Sequence, residues 1–261
     1  MKVVILCGGK GTRLYEETEY RPKPMVPVGG RPILWHIMKR YAYYGHSDFV
    51  LCLGYKGDMI KDYFRNYRWH AGDISLRVGD PDSVAFLKDN EESAWSVVLA
   101  ETGKESMTAH RILQIKQYVG NEDTFLLTYG DGLGDIDINA AVDFHRKQGK
   151  LCTITGVHPP GRFGELGIRA DSVVTEFNEK PQSSEGYING GYMVCSREVF
   201  DYLPDDPSVM FEHSPMKKLV SDGQVAVYRH SGFWQPMDTL AEHRYLNRLW
   251  DEGKAPWFAD L

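Results

Sequence analysis

The hydrophobic positions of residues 1–157 form short apolar runs that alternate with segments of helical periodicity. Apolar runs bounded by glycine predict strands, whereas apolar residues three or four positions apart predict amphipathic helices. The predicted strands are residues 2–7, 48–55, 124–131 and 151–157, and the predicted helices are residues 33–44, 57–69 and 138–149. This alternation predicts an α/β fold in which helices flank a sheet of mostly parallel strands.

The pattern changes after residue 157. Segments 172–181, 187–194 and 224–230 predict short strands with few helices between them, and residues 237–250 predict a final helix. A polar, acidic stretch at residues 79–94 interrupts the earlier pattern and is predicted to be a mobile loop or a subunit contact.

Composition narrows the functional classes. The chain has 261 residues, 42% of them hydrophobic, which is enough for a sizeable core, and a formal net charge of −6. That charge does not favour a general nucleic-acid or membrane-surface binder, and no apolar run is long enough for a membrane span. The N-terminal MKVVILCGG is interpreted as the first strand rather than as a signal peptide.

The cysteines indicate the cellular compartment. Cys7, Cys52, Cys152 and Cys195 each lie in or beside a strand-like apolar run, and no two of them form a CxxC pair. Free core thiols are therefore predicted, rather than a disulfide or metal site, and a cytoplasmic protein follows.

A glycine-rich segment, LCGGKGTRL, occupies residues 6–14 directly after the first predicted strand. Glycines let backbone N–H groups approach an anion closely, so this turn is typical of phosphate binding. The P-loop pattern is absent, and the dinucleotide fingerprint fails because Leu14 stands at its third glycine position. What remains is a backbone cradle with two cations, Arg13 and Lys23. The prolines beside Lys23 restrict its backbone; the alternative is a solvated lysine in a proline-rich turn.

Residues 3–29, VVILCGGKGTRLYEETEYRPKPMVPVG, resemble the signature of sugar-1-phosphate nucleotidyltransferases. The likeness continues through GYKGDMIKDYF, ETGKESMTAHRI, TYGDGLGDID, PPGRFGELGI, FNEKP, YINGGYMV and GFWQPMDTL, and is strongest to the cytidylyl branch of the family. It implies the nucleotide-diphospho-sugar transferase fold, a Rossmann-like mostly parallel sheet with a smaller β-rich sugar-binding part. The chain would be one domain, residues 1–261, with a nucleotide-binding part at 1–150 and a sugar-phosphate-binding part at 151–261.

The resemblance also implies a reaction and its partners. CTP and glucose 1-phosphate would give CDP-glucose and pyrophosphate with Mg²⁺ as the cofactor, in a homohexamer whose product feeds surface polysaccharide synthesis. A phosphate whose second pKa is near 6 is already a nucleophile at neutral pH, so no general base is needed. UTP, dTTP or another sugar phosphate remain alternatives. An inactive regulatory homologue and a glycosyltransferase are the rivals of other classes.

The resemblance assigns roles to individual residues. Lys23, Arg13 and Asp131 would be catalytic, and Asp131 and Asp238 would hold magnesium. The substrates would be bound by Leu6, Cys7, Gly8, Gly9, Lys10, Gly11, Thr12, Arg13, Lys23, Ser106, Arg111, Gly130, Glu179, Lys180 and Asn189. Ala109 and His110 stand where the family pattern SMTGGR has two glycines.

Several of these assignments have a structural alternative. Asp131 could be only a turn residue, Asp238 a helix N-cap, and Arg111 a surface residue. Lys180 could lie in a solvated turn. Lys23 is predicted on a loop outside the core.

Two Asp-x-Asp strings resemble metal-binding motifs of some glycosyltransferases. The string at residues 135–137 precedes a predicted helix and is interpreted as a helix cap. The string at residues 80–82 falls in the acidic segment and is predicted to be solvated. The nine histidines form no zinc-binding spacing, so no zinc site is predicted.

Overall fold

The computed structural model describes residues 1–88, 91–159, 165–168, 174–178 and 186–259. The strands are β1 Lys2–Leu6, β2 Pro27–Val28, β3 Arg31–Pro32, β4 Asp48–Leu53, β5 Ile74–Arg77, β6 Asp80–Phe86, β7 Ser96–Glu101, β8 Thr124–Tyr129, β9 Gly132–Gly134, β10 Cys152–Val157, β11 Glu165–Ile168, β12 Val174–Asn178, β13 Ile188–Ser196, β14 Val225–Arg229 and β15 Trp234–Pro236. The helices are α1 Tyr15–Thr18, α2 Ile33–Tyr43, α3 Gly57–Arg65, α4 Tyr67–Ala71, α5 Thr108–Gln114, α6 Lys116–Val119, α7 Ile138–Gln148, α8 Ser214–Ser221 and α9 Leu240–Asp251. Short 3₁₀ turns span Thr12–Leu14, Lys23–Met25, Glu91–Ala94, Arg197–Tyr202 and Pro256–Phe258.

A seven-stranded sheet in the order β14-β10-β13-β8-β1-β4-β7 forms the centre of the molecule. Strands β8, β1, β4 and β7 are mutually parallel, and β10 is parallel to β14. Strand β13 lies between β8 and β10 and is antiparallel to both. The predicted α/β fold with a mostly parallel sheet is therefore confirmed.

Both faces of this sheet are buried. Along β1, Val3 and Ile5 pack into one apolar cluster and Val4 packs into the other, because successive side chains point to opposite faces. The first cluster lies against α2 and the second against α5, which contributes Ala109 and Ile112. Burial on both faces explains why the strands read as continuous apolar runs.

Most of the predicted elements are present, with small changes at their ends. The helix predicted at 57–69 is divided into α3 and α4 at Asn66. The acidic segment, predicted to be a mobile loop or a subunit contact, contributes β6, which pairs with β5 in an antiparallel hairpin. That hairpin exposes its apolar residues Leu76 and Val78. Because it buries few side chains, its sequence lacks the apolar pattern that predicts strands.

The remaining secondary predictions concern the aspartates and cysteines. Asp137 caps α7 by accepting a hydrogen bond from the Ala140 N–H at 2.8 Å, as interpreted. Asp80 and Asp82 belong to β6 and are exposed. The four cysteine side chains are buried and free. Across the described ranges, no helix has the length and apolar character of a membrane span.

His36 is a buried polar residue within the packing of α2. Its Nε2 donates a hydrogen bond to the Val28 carbonyl at 2.8 Å, and the Trp257 indole N–H donates to its Nδ1 at 3.3 Å. This arrangement fixes a neutral imidazole. Burial lowers the pKa of His36 from 6.5 to about 4 and outweighs the hydrogen bond to Val28, which raises it.

Acidification is therefore expected to destabilise the protein through His36. In the unfolded chain His36 is protonated as the pH falls below 6.5, whereas in the folded protein it is protonated only near pH 4. The free energy of unfolding should fall across this window, by roughly 3 kcal/mol in total. Urea unfolding between pH 7.5 and 4.5 measures this slope, which should be shallower in His36→Gln and unchanged in the exposed control His213→Gln. Equal slopes in all three proteins would contradict the assignment.

Candidate active site

The candidate site lies where the carboxyl ends of β8, β1, β4 and β7 meet at one edge of the sheet. The Gly130 N–H, just after β8, donates to the Leu6 carbonyl at 3.2 Å. The Cys7 N–H, just after β1, donates to the Cys52 carbonyl at 3.0 Å. Ligands of open α/β sheets bind at this edge, so the fold brings the glycine-rich segment and the TYGDG segment to the expected place.

Four charged side chains meet at this edge. The Lys23 ammonium donates to Asp131 Oδ2 at 2.7 Å and to Asp238 Oδ1 at 2.5 Å. The Arg13 guanidinium contacts the other oxygen of Asp238 at 2.7 Å. The structure thus brings together the three residues predicted as catalytic and both predicted metal ligands.

The position of Asp238 follows from a short hairpin and a helix cap. Strand β15 pairs with β9 with Pro236 opposite Gly132, and the Met237 N–H donates to the Asp131 carbonyl at 2.9 Å. The N-cap of α9 is Thr239, the residue after Asp238, and it forms a capping box with Glu242. The N-cap alternative for Asp238 is therefore wrong, and its carboxylate is free to contact Lys23 and Arg13.

Lys23 is held by a rigid turn and by packing. Pro22 is extended, and Lys23–Met25 form a 3₁₀ turn with Pro24 at an early position. The lysine side chain passes beside Gly11, where an added Cβ would lie 3.1 Å from Lys23 Cβ. Lys23 is 7% exposed, so the prediction that it lies outside the core is wrong.

The two carboxylates keep this buried lysine charged. Burial lowers the pKa of Lys23, but the charges and hydrogen bonds of Asp131 and Asp238 raise it by more, so the net pKa lies above its ordinary value. Lys23 is therefore a cation at neutral pH.

Asp131 and Asp238 fit a divalent metal ion. Their oxygens already converge on one cation, the Lys23 ammonium, and carboxylate oxygens are the ligands of a hard ion such as magnesium. In the described part of the chain, no group of three or more histidine, cysteine, aspartate or glutamate side chains forms a metal site. Two carboxylates that leave other positions to phosphate oxygens and water are the usual magnesium arrangement in phosphate chemistry.

The glycine-rich segment forms an ordered, partly exposed loop. Gly11 has a φ of 63°, and its carbonyl accepts a hydrogen bond from the Thr18 hydroxyl at 3.1 Å. Lys10 extends from the loop to Glu105, with a 2.8 Å contact. Thr12 begins the 3₁₀ turn that leads to Arg13. The Cys7 side chain is buried, and burial raises the pKa of its thiol.

Ser106 and Arg111 are buried close to the loop rather than open to solvent. Ser106 Oγ lies 3.1 Å from His110 Nδ1. The Arg111 guanidinium donates to backbone carbonyls, including those of Leu53 and Gly8 at 2.8 and 3.0 Å. Arg111 is 4% exposed, so the surface alternative is wrong.

A polar network that the motifs did not reveal centres on Tyr129, two residues before Asp131. Asn189 Nδ2 donates to the Tyr129 hydroxyl at 3.3 Å, and that hydroxyl donates to Glu212 at 2.5 Å. Burial and the charge of Glu212 raise the pKa of Tyr129 well above its usual range. Tyr129 could have been noticed because it stands in the TYGDG motif, whereas nothing around Glu212 in the sequence marks it. Glu179 and Lys180 lie outside the described residues.

Comparisons with known proteins identify the family and the fold of the chain. The Nucleotidyl transferase family model matches residues 2–241. The glucose-1-phosphate cytidylyltransferases of Salmonella typhimurium and Salmonella typhi are each 48% identical over 257 residues, which cover 98% of this chain and 98% of the relative. A solved structure of HddC from Yersinia pseudotuberculosis, complexed with GMP-PN, superimposes with a TM-score of 0.68 at 21% identity and covers 95% of this chain and 99% of that one. The fold is thus that of known nucleotidyltransferases, and the chain belongs to the nucleotidyl transferase family.

Proposed function

We propose that this protein transfers a cytidylyl group from CTP to α-D-glucose 1-phosphate. A phosphate oxygen of the sugar forms a bond to the α-phosphorus of CTP, and the bond from that phosphorus to the bridging oxygen of pyrophosphate breaks. The products are CDP-glucose and pyrophosphate. The observation that carries this proposal is the contact of Lys23 with both Asp131 and Asp238 at the carboxyl edge of the sheet, in a chain 48% identical to enzymes named for this reaction.

Arg13, Lys23, Asp131 and Asp238, which together form the ion-pair cluster, suit this chemistry. Lys23 would stabilise the charge that develops on the α-phosphate, and the exposed Arg13 would meet the outer phosphates of the nucleotide. Nucleotidyltransferases of this family generally use a divalent metal, and we propose Mg²⁺, held by Asp131 and Asp238. When bound, it would offset phosphate charge and orient the phosphate oxygens.

The other predicted residues complete the substrate contacts. Backbone groups of residues 6–12, together with Ser106 and Gly130, would bind the nucleotide. Asn189, Glu179 and Lys180 would bind the sugar phosphate, and for Asn189 its contact with Tyr129 beside Asp131 supports this role. No side chain needs to act as a general base, because the attacking phosphate is already ionised.

The wider organisation is also proposed. The nucleotide-binding part at 1–150 and the sugar-phosphate-binding part at 151–261 would form one domain, which is supported by the presence of β10, β13 and β14 in the same sheet as β1. Self-association as a homohexamer rests on the family resemblance. Four buried free thiols support a cytoplasmic location, where thiols stay reduced.

A pyrophosphate-release assay tests the function. With glucose 1-phosphate and Mg²⁺, CTP is expected to react at least about tenfold faster than UTP, dTTP, ATP or GTP, because a site built to hydrogen-bond one base rejects others. Omission of the sugar phosphate should abolish release. Faster reaction with another nucleotide would overturn the assignment of cytosine as the base and leave the proposed nucleotidyl transfer in place. Nucleotide binding without any release would favour a regulatory protein.

A further inference from the structure

The Arg111 guanidinium lies where three neighbouring strands end. Helix α5 places it under the loops that follow β1, β4 and β7. Its Nη1 donates to the Leu53 carbonyl at 2.8 Å, to the Thr102 hydroxyl at 2.9 Å and to the Gly103 carbonyl at 2.8 Å. Its Nη2 donates to the Gly8 carbonyl at 3.0 Å and to the Lys104 carbonyl at 3.4 Å. One side chain therefore joins all three loops.

The loops close tightly around this group. A Cβ added at Gly8 would lie 2.2 Å from Arg111 Nη1, and one added at Gly54 would lie 2.5 Å from the same nitrogen. Real Cβ atoms do not approach this closely, and the guanidinium cannot move aside without breaking its hydrogen bonds. The glycines at positions 8 and 54 thus admit the guanidinium, in addition to any role in ligand approach.

The hydrogen bonds of Arg111 set the orientation of the peptide between Gly8 and Gly9. The Gly8 carbonyl points inward, where it also accepts from the Tyr55 N–H at 3.2 Å. In a planar trans peptide the N–H points opposite to the carbonyl, so the Gly9 N–H points outward. Gly9 is exposed, and its N–H donates to no other residue of the described ranges. By the same geometry the inward Gly103 carbonyl turns the Lys104 N–H outward.

We propose that Arg111 is a positioning residue that orients these backbone N–H groups toward the bound nucleotide. The inference rests on the proposed function, because it needs a nucleotide above the loop. The family resemblance implies a nucleotide contact for Arg111, and the positioning role is proposed in addition to that contact. Both Nη nitrogens are engaged by protein oxygens, and the residue is 4% exposed.

The test compares Arg111→Leu, Arg111→Lys and a matched control, Arg40→Leu. Arg40 is also buried and also donates to carbonyls, those of Asp135 and Ile136, away from the three loops. Nucleotide Kd is measured by calorimetry with the nucleotide that the wild type turns over, and the KM for the sugar phosphate is measured alongside.

Arg111→Leu should weaken nucleotide binding by about tenfold to a hundredfold, the loss expected when one or two hydrogen bonds to a charged ligand are removed. The KM for the sugar phosphate should stay within about twofold. Arg111→Lys, which can donate fewer hydrogen bonds, should fall in between. Arg40→Leu should lower the unfolding temperature without changing nucleotide Kd. Hydrogen exchange of residues 8–11 should show nucleotide-induced protection in the wild type and in Arg40→Leu, and reduced protection in Arg111→Leu.

Other results would overturn the proposal. Wild-type nucleotide Kd in a folded Arg111→Lys protein, together with normal protection of residues 8–11, would remove the positioning role. If Arg111→Leu and Arg40→Leu both raised the nucleotide Kd and the KM for the sugar phosphate to the same extent, the role of Arg111 would be purely structural. A wild type that turns over a nucleotide other than CTP leaves this test intact, whereas one that binds no nucleotide overturns both the proposed function and this inference.

Discussion

Lys23→Met is expected to lower kcat about a thousandfold while the protein remains folded. Methionine keeps the unbranched side chain that packs beside Gly11 and removes only the ammonium group. Loss of one preorganised donor to developing transition-state charge costs about a hundredfold to a thousandfold, and a buried cation lies at the upper end of that range. Steady-state kinetics of pyrophosphate release, with circular dichroism to verify folding, measures the effect.

The control for this experiment is Lys39→Met. Lys39 also lies between two carboxylates, with Nζ 2.5 Å from Glu91 and 3.2 Å from Glu92, but it is on α2, outside the ion-pair cluster. Both variants lose a lysine paired with two acids, so a general effect of broken ion pairs would appear in both. Turnover near that of the wild type in folded Lys23→Met would remove Lys23 from the catalytic groups.

Asp131→Asn and Asp238→Asn are each expected to lower turnover by roughly a thousandfold and to raise the Mg²⁺ concentration needed for half-maximal rate. An amide oxygen carries no full charge, so it is a weaker ligand for a hard cation, and metal stabilisation of phosphate charge is worth several kcal/mol. Titration of the rate against Mg²⁺ at saturating substrates separates the loss of metal affinity from the loss of maximal rate.

Asp137→Asn is the matched control for these substitutions. Asp137 belongs to the Asp-x-Asp string but caps α7, and asparagine is an equally good N-cap. Its turnover and Mg²⁺ dependence should equal those of the wild type. An unchanged Mg²⁺ titration in Asp131→Asn would exclude that residue from the metal site. A large shift of the Mg²⁺ titration in Asp137→Asn would instead indicate that the Asp-x-Asp string binds the metal.

The sequence predicted the sheet well because its parallel strands are buried on both faces and appear as uninterrupted apolar runs. The hairpin of β5 and β6 was missed for the opposite reason. Its strands expose most of their side chains, and their pairing is set by backbone hydrogen bonds that residue types do not report.

The site could be predicted only as far as its motifs reach. Gly8, Lys23 and Asp131 follow from local patterns. The N-cap alternative for Asp238 is excluded by the capping box of Thr239 and Glu242, whose T-x-x-E spacing is already visible in the sequence. The burial of Arg111 depends on three loops that are distant in sequence. Such contacts arise from tertiary packing, and a single sequence carries no local signal for them.

The ion-pair cluster also has a consequence for biosynthesis. Lys23 and Asp131 are 108 positions apart, and Lys23 and Asp238 are 215 positions apart. Contacts this distant along the chain raise the contact order, which slows folding. Because domains are synthesised from the N-terminus, a nascent chain could form β1, β4, β7 and β8 long before β15 emerges to dock against β9. Catalytic competence would therefore appear as one of the last events of synthesis, and a prematurely terminated chain would retain the glycine-rich loop but lack Asp238.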